Sequence, residues 1–115
     1  MLIITAETHA THANFWLDGA VAGAAVSELA RNWRPQVESL LRDDVRRVLL
    51  DLSGASDIDA AGVGEVIHVF NMVAAAGGVL EIEHMSPHVR RMLDLAGVLE
   101  LLTARDVECV AARSS

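Results

Sequence analysis

Short apolar runs alternate with helical apolar stripes along this chain. Leu2 to Thr5 is apolar and β-branched, and Ala13 to Leu17 is a second such run. Polar Glu7 to His12 lies between them, so the pattern predicts a hairpin of two strands, the second ending at Gly19. Val26, Leu29, Ala30, Trp33, Val37, Leu40 and Leu41 then recur at helical spacing. Pro35 sits inside that stripe and removes the hydrogen bond to the Arg31 carbonyl, which predicts a kink or break. Val48 to Leu52 is a continuous apolar run, the pattern of a parallel strand buried on both faces. Val63, Val66, Ile67, Phe70, Val73 and Ala74 mark a second helix, stopped by Gly77-Gly78. Val79 to Glu83 is the next strand. Ser86-Pro87 is a helix start, with serine as N-cap and proline at the first helical position. Val89, Met92, Leu93 and Ala96 form the face of that third helix, and Gly97 ends it. Val107 to Val110 is a candidate last edge strand. The order is β-β-α-β-α-β-α: an α/β domain with a mixed four- or five-stranded sheet and packed helices. Its later strands are expected to be parallel with right-handed crossovers.

Composition narrows the function classes. The chain has 115 residues, the size of one domain, expected over residues 1–110 with a frayed tail at 111–115. Apolar residues make up 52%, enough for one core without a metal or disulfide staple. Phe15, Trp16, Trp33 and Phe70 are the only aromatics, the net charge is −7, and there is no lysine. That composition argues against nucleic acid, whose binders carry basic surfaces and aromatic stacking platforms. Cys109 is the only cysteine, so no intrachain disulfide forms and a reducing compartment is expected. The longest apolar run, Met72 to Leu80, is far short of the roughly 20 residues that span a bilayer. The first residues lack a signal-peptide pattern. A soluble cytoplasmic domain is the expectation.

The densest chemical signal is Asp51 to Gly62, which joins the apolar Val48 strand to the second helix. Ligands and partners of α/β sheets gather at the carboxyl ends of strands. Three readings compete. Asp51, Ser53, Asp57 and Asp59 could hold a divalent metal, yet an Asp-x-Ser-x-Ser loop needs a hydroxyl at Ala55; the alternative is hydrogen bonding to the turn backbone. A phosphate could sit at the helix N-terminus, but no lysine supports a P-loop and Asp59 would repel the anion. A protein-docking edge needs only exposed backbone and a positioned helix, and fits best. No metal or cofactor is expected.

The second helix has another face. With Val63, Ile67 and Phe70 inward, Glu65, His68, Met72, Ala75 and Ala76 point outward, with Val69 at the boundary. That face is small and weakly polar, suited to a partner or to incidental exposure. His9 and His12 lie in the hairpin turn, and His84 and His88 flank the third helix start. Zinc would want four ligands, so surface histidines are the better reading. Cys109 sits in an apolar segment and is expected to be inert. No Gly-x-Ser-x-Gly elbow is present, though a Ser-His-Asp set stays open.

The run Val48-Leu-Leu-Asp-Leu-Ser-Gly-Ala-Ser-Asp-Ile-Asp-Ala-Ala-Gly62 resembles the signature of STAS domains, which include anti-sigma factor antagonists and cytoplasmic domains of sulfate transporters. Gly77-Gly-Val-Leu-Glu-Ile and Ser86-Pro-His-Val-Arg-Arg-Met-Leu-Asp-Leu-Ala-Gly97 continue it in order and spacing, as does Trp16-Leu-Asp-Gly with the helix through Val26 and Leu29. The resemblance covers nearly the whole chain and implies the family's mixed sheet with packed helices. Antagonists of this family usually read Asp-Ser-x-Gly, and the serine is phosphorylated by an anti-sigma factor that is also a kinase. Here Asp59 and Gly62 match, but Ala60 holds the acceptor position and Ala61 follows. Ser53 and Ser56 do not match that position.

The resemblance therefore implies a non-enzymatic regulatory protein whose switch is missing. Its partner would be an anti-sigma factor or related serine kinase-like protein. Binding would involve Asp59, Ala60, Ala61, Gly62, Glu65, His68 and Met72. The alternative is an accessory or scaffold STAS subunit, of an ABC lipid transporter with its ATPase or of a stress-signalling assembly. A different class of reading is an enzyme or small-ligand binder using Asp51, Asp57 and Asp59. Self-association is left open.

Overall fold

The computed structural model describes residues 2–97. The predicted last strand, Cys109 and the tail lie outside the described residues. Five strands and three helices follow the order β1 (Ile3–Thr8), β2 (His12–Val21), α1 (Ala24–Arg42), β3 (Arg47–Leu52), β4 (Ala55–Ile58), α2 (Ala60–Ala75), β5 (Val79–Met85) and α3 (Pro87–Leu95). The sheet runs β1-β2-β3-β5, with β4 beside the far end of β2. Only the β1–β2 hairpin is antiparallel; β2–β3, β3–β5 and β2–β4 are parallel. The mixed five-stranded α/β sheet is the fold class predicted from the pattern.

Alternation along the strands sets the core. Ala13, Phe15 and Leu17 of β2, Val48, Leu50 and Leu52 of β3, and Leu80 and Ile82 of β5 are buried. Strand residues that point to one face recur every second position, so these eight share that face. Trp33 of α1 meets Phe15 edge to face at 6.3 Å, which places α1 over it. Val66, Val69 and Val73 of α2 join the same cluster, as do Val89 and Leu93 of α3. The alternate positions Asn14, Trp16, Leu49, Asp51, Val79 and Glu81 are only half-buried. The expectation that the Val48 strand is buried on both faces is therefore corrected, since one face is fully packed and the other partly open.

Three further differences have physical causes. First, Gly19 does not end β2. At φ 118° it occupies a conformation that residues with a Cβ rarely adopt, and a register shift follows it. The strand leaves β3 after Trp16 and resumes beside β4, pairing Gly19 with Ala55 and Val21 with Ile58. Second, β4 was hidden in the predicted loop. Its four residues, Ala-Ser-Asp-Ile, carry too little apolar pattern to announce a strand, and pairing with β2 makes them one. Third, α1 passes through Pro35 without a break. Pro35 and Arg31 are both exposed, so water can serve the carbonyl that loses its amide donor.

Candidate functional site

The segment Asp51 to Gly62 is built by the carboxyl ends of β2 and β3, all of β4, and the start of α2. Asp59 is its fixed point. Its backbone is extended and its side chain caps α2, accepting a hydrogen bond from the Gly62 N–H at 2.8 Å. Its other oxygen accepts from the Gly23 N–H at 2.9 Å. Gly23 is the N-cap of α1, so one carboxylate ties together the N-termini of two helices. Both ends present unpaired backbone N–H groups and positive partial charge, which a carboxylate satisfies. The Gly62 and Gly23 donors hold Asp59 below the usual carboxylate range.

Gly62 closes the arrangement. A Cβ there would lie 2.1 Å from the Val21 carbonyl oxygen and 2.9 Å from Ile58. Only glycine lets the first turn of α2 sit this close to the end of β2. The Asp59 N–H also donates to that Val21 carbonyl, at 3.3 Å. The result is a braced corner on which Ala60 and Ala61 are exposed.

The other carboxylates of the segment have partners of their own. Asp51 accepts from the Ser53 N–H at 2.8 Å and pairs with His84 Nδ1 at 2.9 Å. Burial pushes its pKa up, but the Ser53 and His84 hydrogen bonds outweigh this and leave it below the usual range. Asp57 accepts from the Ile58 N–H at 2.8 Å and pairs with His88 Nε2 at 2.7 Å. The His88 contact, ahead of the backbone bond, holds Asp57 low. His84 is pushed above its ordinary value, chiefly by its bond to Asp51. These two contacts fasten the segment to the end of β5 and the first turn of α3. Ser86 caps α3 through Val89 as predicted, at 3.2 Å, with Pro87 in the first turn.

The three aspartates therefore spend their oxygens on three separate sets of donors. Among the described residues, no cluster of three or more His, Cys, Asp or Glu side chains is placed to hold a metal ion. The Ser53 backbone N–H bonds Asp51 Oδ1 while the His84 imidazole meets Asp51 Oδ2. A nucleophile–base–carboxylate chain would instead run Ser–His–Asp. His9 and His12 stack on each other in the hairpin turn, their rings 4.5 Å apart.

On α2 the predicted faces need correction. Gly62, Val63, Glu65, Val66, Val69 and Val73 are buried, whereas Ile67 and Phe70 are half-buried. Val69 is thus core, not boundary. Glu65 does not point outward; it is 4% exposed. Its carboxylate accepts from Trp33 Nε1 at 2.7 Å and Arg34 Nε at 2.8 Å, and Arg34 Nη2 bonds its second oxygen. Burial raises its pKa, and the Arg34 and Trp33 bonds overcome this and lower it. The helix is apolar nearly all round, so its pattern does not fix which side faces in. The two donors on α1 decide it, and neither is adjacent to Glu65 in sequence. His68 is exposed as predicted, and Met72 is half-buried. Of the seven proposed binding residues, the structure gathers Asp59, Ala60, Ala61 and Gly62 at one corner, leaves His68 and Met72 further along α2, and takes Glu65 into the interior. Pattern reading missed two surface positions of α2, Asn71 and Gly64, the latter with nothing within 4 Å of its would-be Cβ.

The fold is thus a mixed α/β sheet whose capped strand–helix corner lies at the carboxyl ends of its parallel strands. The chain matches the STAS domain family over residues 4–109 and belongs to that family. It is 31% identical over 97 residues to BtrV of Bordetella bronchiseptica, named for an anti-sigma factor antagonist role; the match covers 84% of this chain and 80% of BtrV. It is 24% identical over 71 residues to the anti-sigma F factor antagonist of Paenibacillus polymyxa, covering 62% of this chain and 61% of that protein. The solved structure of the anti-sigma factor antagonist SpoIIAA in its unphosphorylated form has the same fold, with a TM-score of 0.72 at 18% identity, covering 96% of this chain and 97% of SpoIIAA. Among the described residues, no helix is long and apolar enough to cross a membrane.

Proposed function

We propose that this protein is a non-enzymatic, cytoplasmic STAS regulator of the anti-sigma factor antagonist kind. It docks on an anti-sigma factor or related kinase-like protein and so releases that partner's own target. The carrying observation is the braced corner, where Asp59 and Gly62 fix the N-terminus of α2 and present Ala60 and Ala61 to solvent. Methyl groups let another backbone approach closely, and His68 and Met72 extend the surface along α2. Glu65 has no part in it, being committed to α1. The antagonists among its relatives favour this reading over an accessory transporter or scaffold subunit.

The position that carries a phosphorylatable serine in antagonists of this type is Ala60. A phosphate there would bring close to two negative charges beside Asp59 and Asp57, and like-charge repulsion would work against docking. The protein escapes that switch and stays competent to bind. The test has two stages. Capture on the immobilised protein from extract of the source cells recovers a kinase-like anti-sigma factor, and Ala61→Arg abolishes the recovery. Incubation with that kinase and labelled ATP leaves the protein unlabelled, whereas Ala60→Ser accepts label. Failure to recover any such regulator refutes the partner; label on Ser53 or Ser56 of the natural protein refutes the missing switch.

A further inference from the structure

We propose that the exposed face of α3 is a second docking element, which takes an acidic segment of a protein partner bearing an apolar side chain. The proposal rests on the reading of this protein as a partner-binding domain, and it names the chemistry of what binds. α3 buries only Val89 and Leu93. The rest of its surface presents His88, Arg90, Arg91, Asp94 and Leu95 to solvent. Leu95 is 75% exposed, one of two large apolar side chains so exposed among the described residues.

Charge marks the occupant. Arg34, Arg42, Arg46 and Arg47 each reach a carboxylate: Glu65, Glu38, Asp44 and Glu81. Among the described residues Arg31, Arg90 and Arg91 form no ion pair; Arg31 stands singly on α1, whereas Arg90 and Arg91 are neighbours on α3, with Asp94 one turn further along that helix. Arg90 and Arg91 flank a shallow depression of about 360 Å³ shared with Pro87 and Asp94. A guanidinium is a planar fork that matches a carboxylate through two parallel hydrogen bonds. Two such neighbouring forks with no ion pair among the described residues, in a chain of net charge −7, suit an acidic partner segment. At physiological salt the screening length is about 8 Å. The protein's more distant carboxylates are then muted, while a docked carboxylate feels the arginines directly. Residues four apart share a helix face, so Leu95 continues the row from Arg91 and offers the apolar contact.

The face also joins the corner described above. The His88–Asp57 contact at 2.7 Å ties the first turn of α3 to β4, two residues before Asp59.

The probe is a fluorescein-labelled peptide of glutamates with interspersed leucines, followed by fluorescence anisotropy on the full chain. The natural protein binds it, and the lysine counterpart of the peptide does not bind. The double variant R90E/R91E, both surface positions, weakens binding by about tenfold or more, and circular dichroism confirms its fold. Leu95→Ala weakens binding severalfold, and added salt weakens it further. No binding by the natural protein, equal binding of the lysine peptide, or unchanged affinity in R90E/R91E overturns the proposal. Arg31→Glu, at an exposed arginine on α1, leaves peptide binding intact, and loss there overturns the assignment to α3. Loss of the captured partner in Ala61→Arg concerns the α2 corner alone, so the two readings fail separately.

Discussion

Replacing Glu65 tests the least expected feature of the structure, a carboxylate inside the helix layer. In Glu65→Ala the indole N–H of Trp33, 1% exposed, loses its acceptor in the core. A buried donor left unsatisfied costs about 1–3 kcal/mol. Arg34 loses both its bonds, and removing one partner of a fully buried pair costs about 3–5 kcal/mol. The Arg34 side chain is 39% exposed, so water recovers much of that second loss. The expected total is about 2–4 kcal/mol, set against a whole-domain stability of about 5–15 kcal/mol. For a chain of this size that lowers Tm by about 8–16 °C. Glu65→Gln keeps an acceptor for Trp33 but loses the charge facing Arg34, so it costs less, about 1–2 kcal/mol. Urea unfolding followed by tryptophan fluorescence measures both. A Glu65→Ala loss below about 1 kcal/mol, or equal losses in the two variants, would refute the account of Glu65 as the acceptor joining α2 to α1. The pH dependence follows from the lowered pKa. The stabilisation from Glu65 is present above its ordinary value of 4.5 and is lost as pH falls through the lower folded value.

The remaining predictions concern the corner and its clasps. Gly62→Ala destabilises by about 1–3 kcal/mol through overpacking, because its Cβ meets the Val21 carbonyl at 2.1 Å. Gly64→Ala, two residues on with open space around it, stabilises by about 0.5–1 kcal/mol as alanine does in a helix; thermal melts giving both variants the same sign would contradict the geometry. Asp59→Ala lowers Tm and loosens the Gly23 and Gly62 amides, read as faster hydrogen exchange at both; change at Gly62 alone would show that the double cap is not formed. The Asp51–His84 contact contributes most between the two ordinary values, 3.8 and 6.5. Below that window Asp51 protonates through its lowered value, and above it His84 loses its proton through its raised value. NMR titration should find the His84 pKa lower in Asp51→Asn than in the natural protein, and no change would dissolve the clasp.

Period and punctuation alone placed most of the elements. Alternation in Ala13–Leu17 and the apolar run at Val48, each closed by polar or glycine residues, specify strands whichever neighbour they take. Ser86-Pro87 starts α3 by local hydrogen bonding, which needs no partner from elsewhere in the chain. The Asp59 and Gly62 pattern was visible as a family resemblance, and the structure adds that the two residues, three apart, form the cap of α2. What sequence could not supply was anything that depended on a partner far along the chain. β4 is a strand because β2 continues past Gly19 to meet it, and its own four residues have no period of their own. Glu65 reads as a surface acid because the helix pattern cannot see Trp33 and Arg34, more than thirty residues earlier. The bond from Asp59 to Gly23 likewise spans 36 positions, so only folding made Asp59 a brace between two helices. Local hydrogen bonds and side-chain period decide which elements exist. Long-range pairing and the need to satisfy every buried polar group decide which faces they turn inward and which residues are left for a partner.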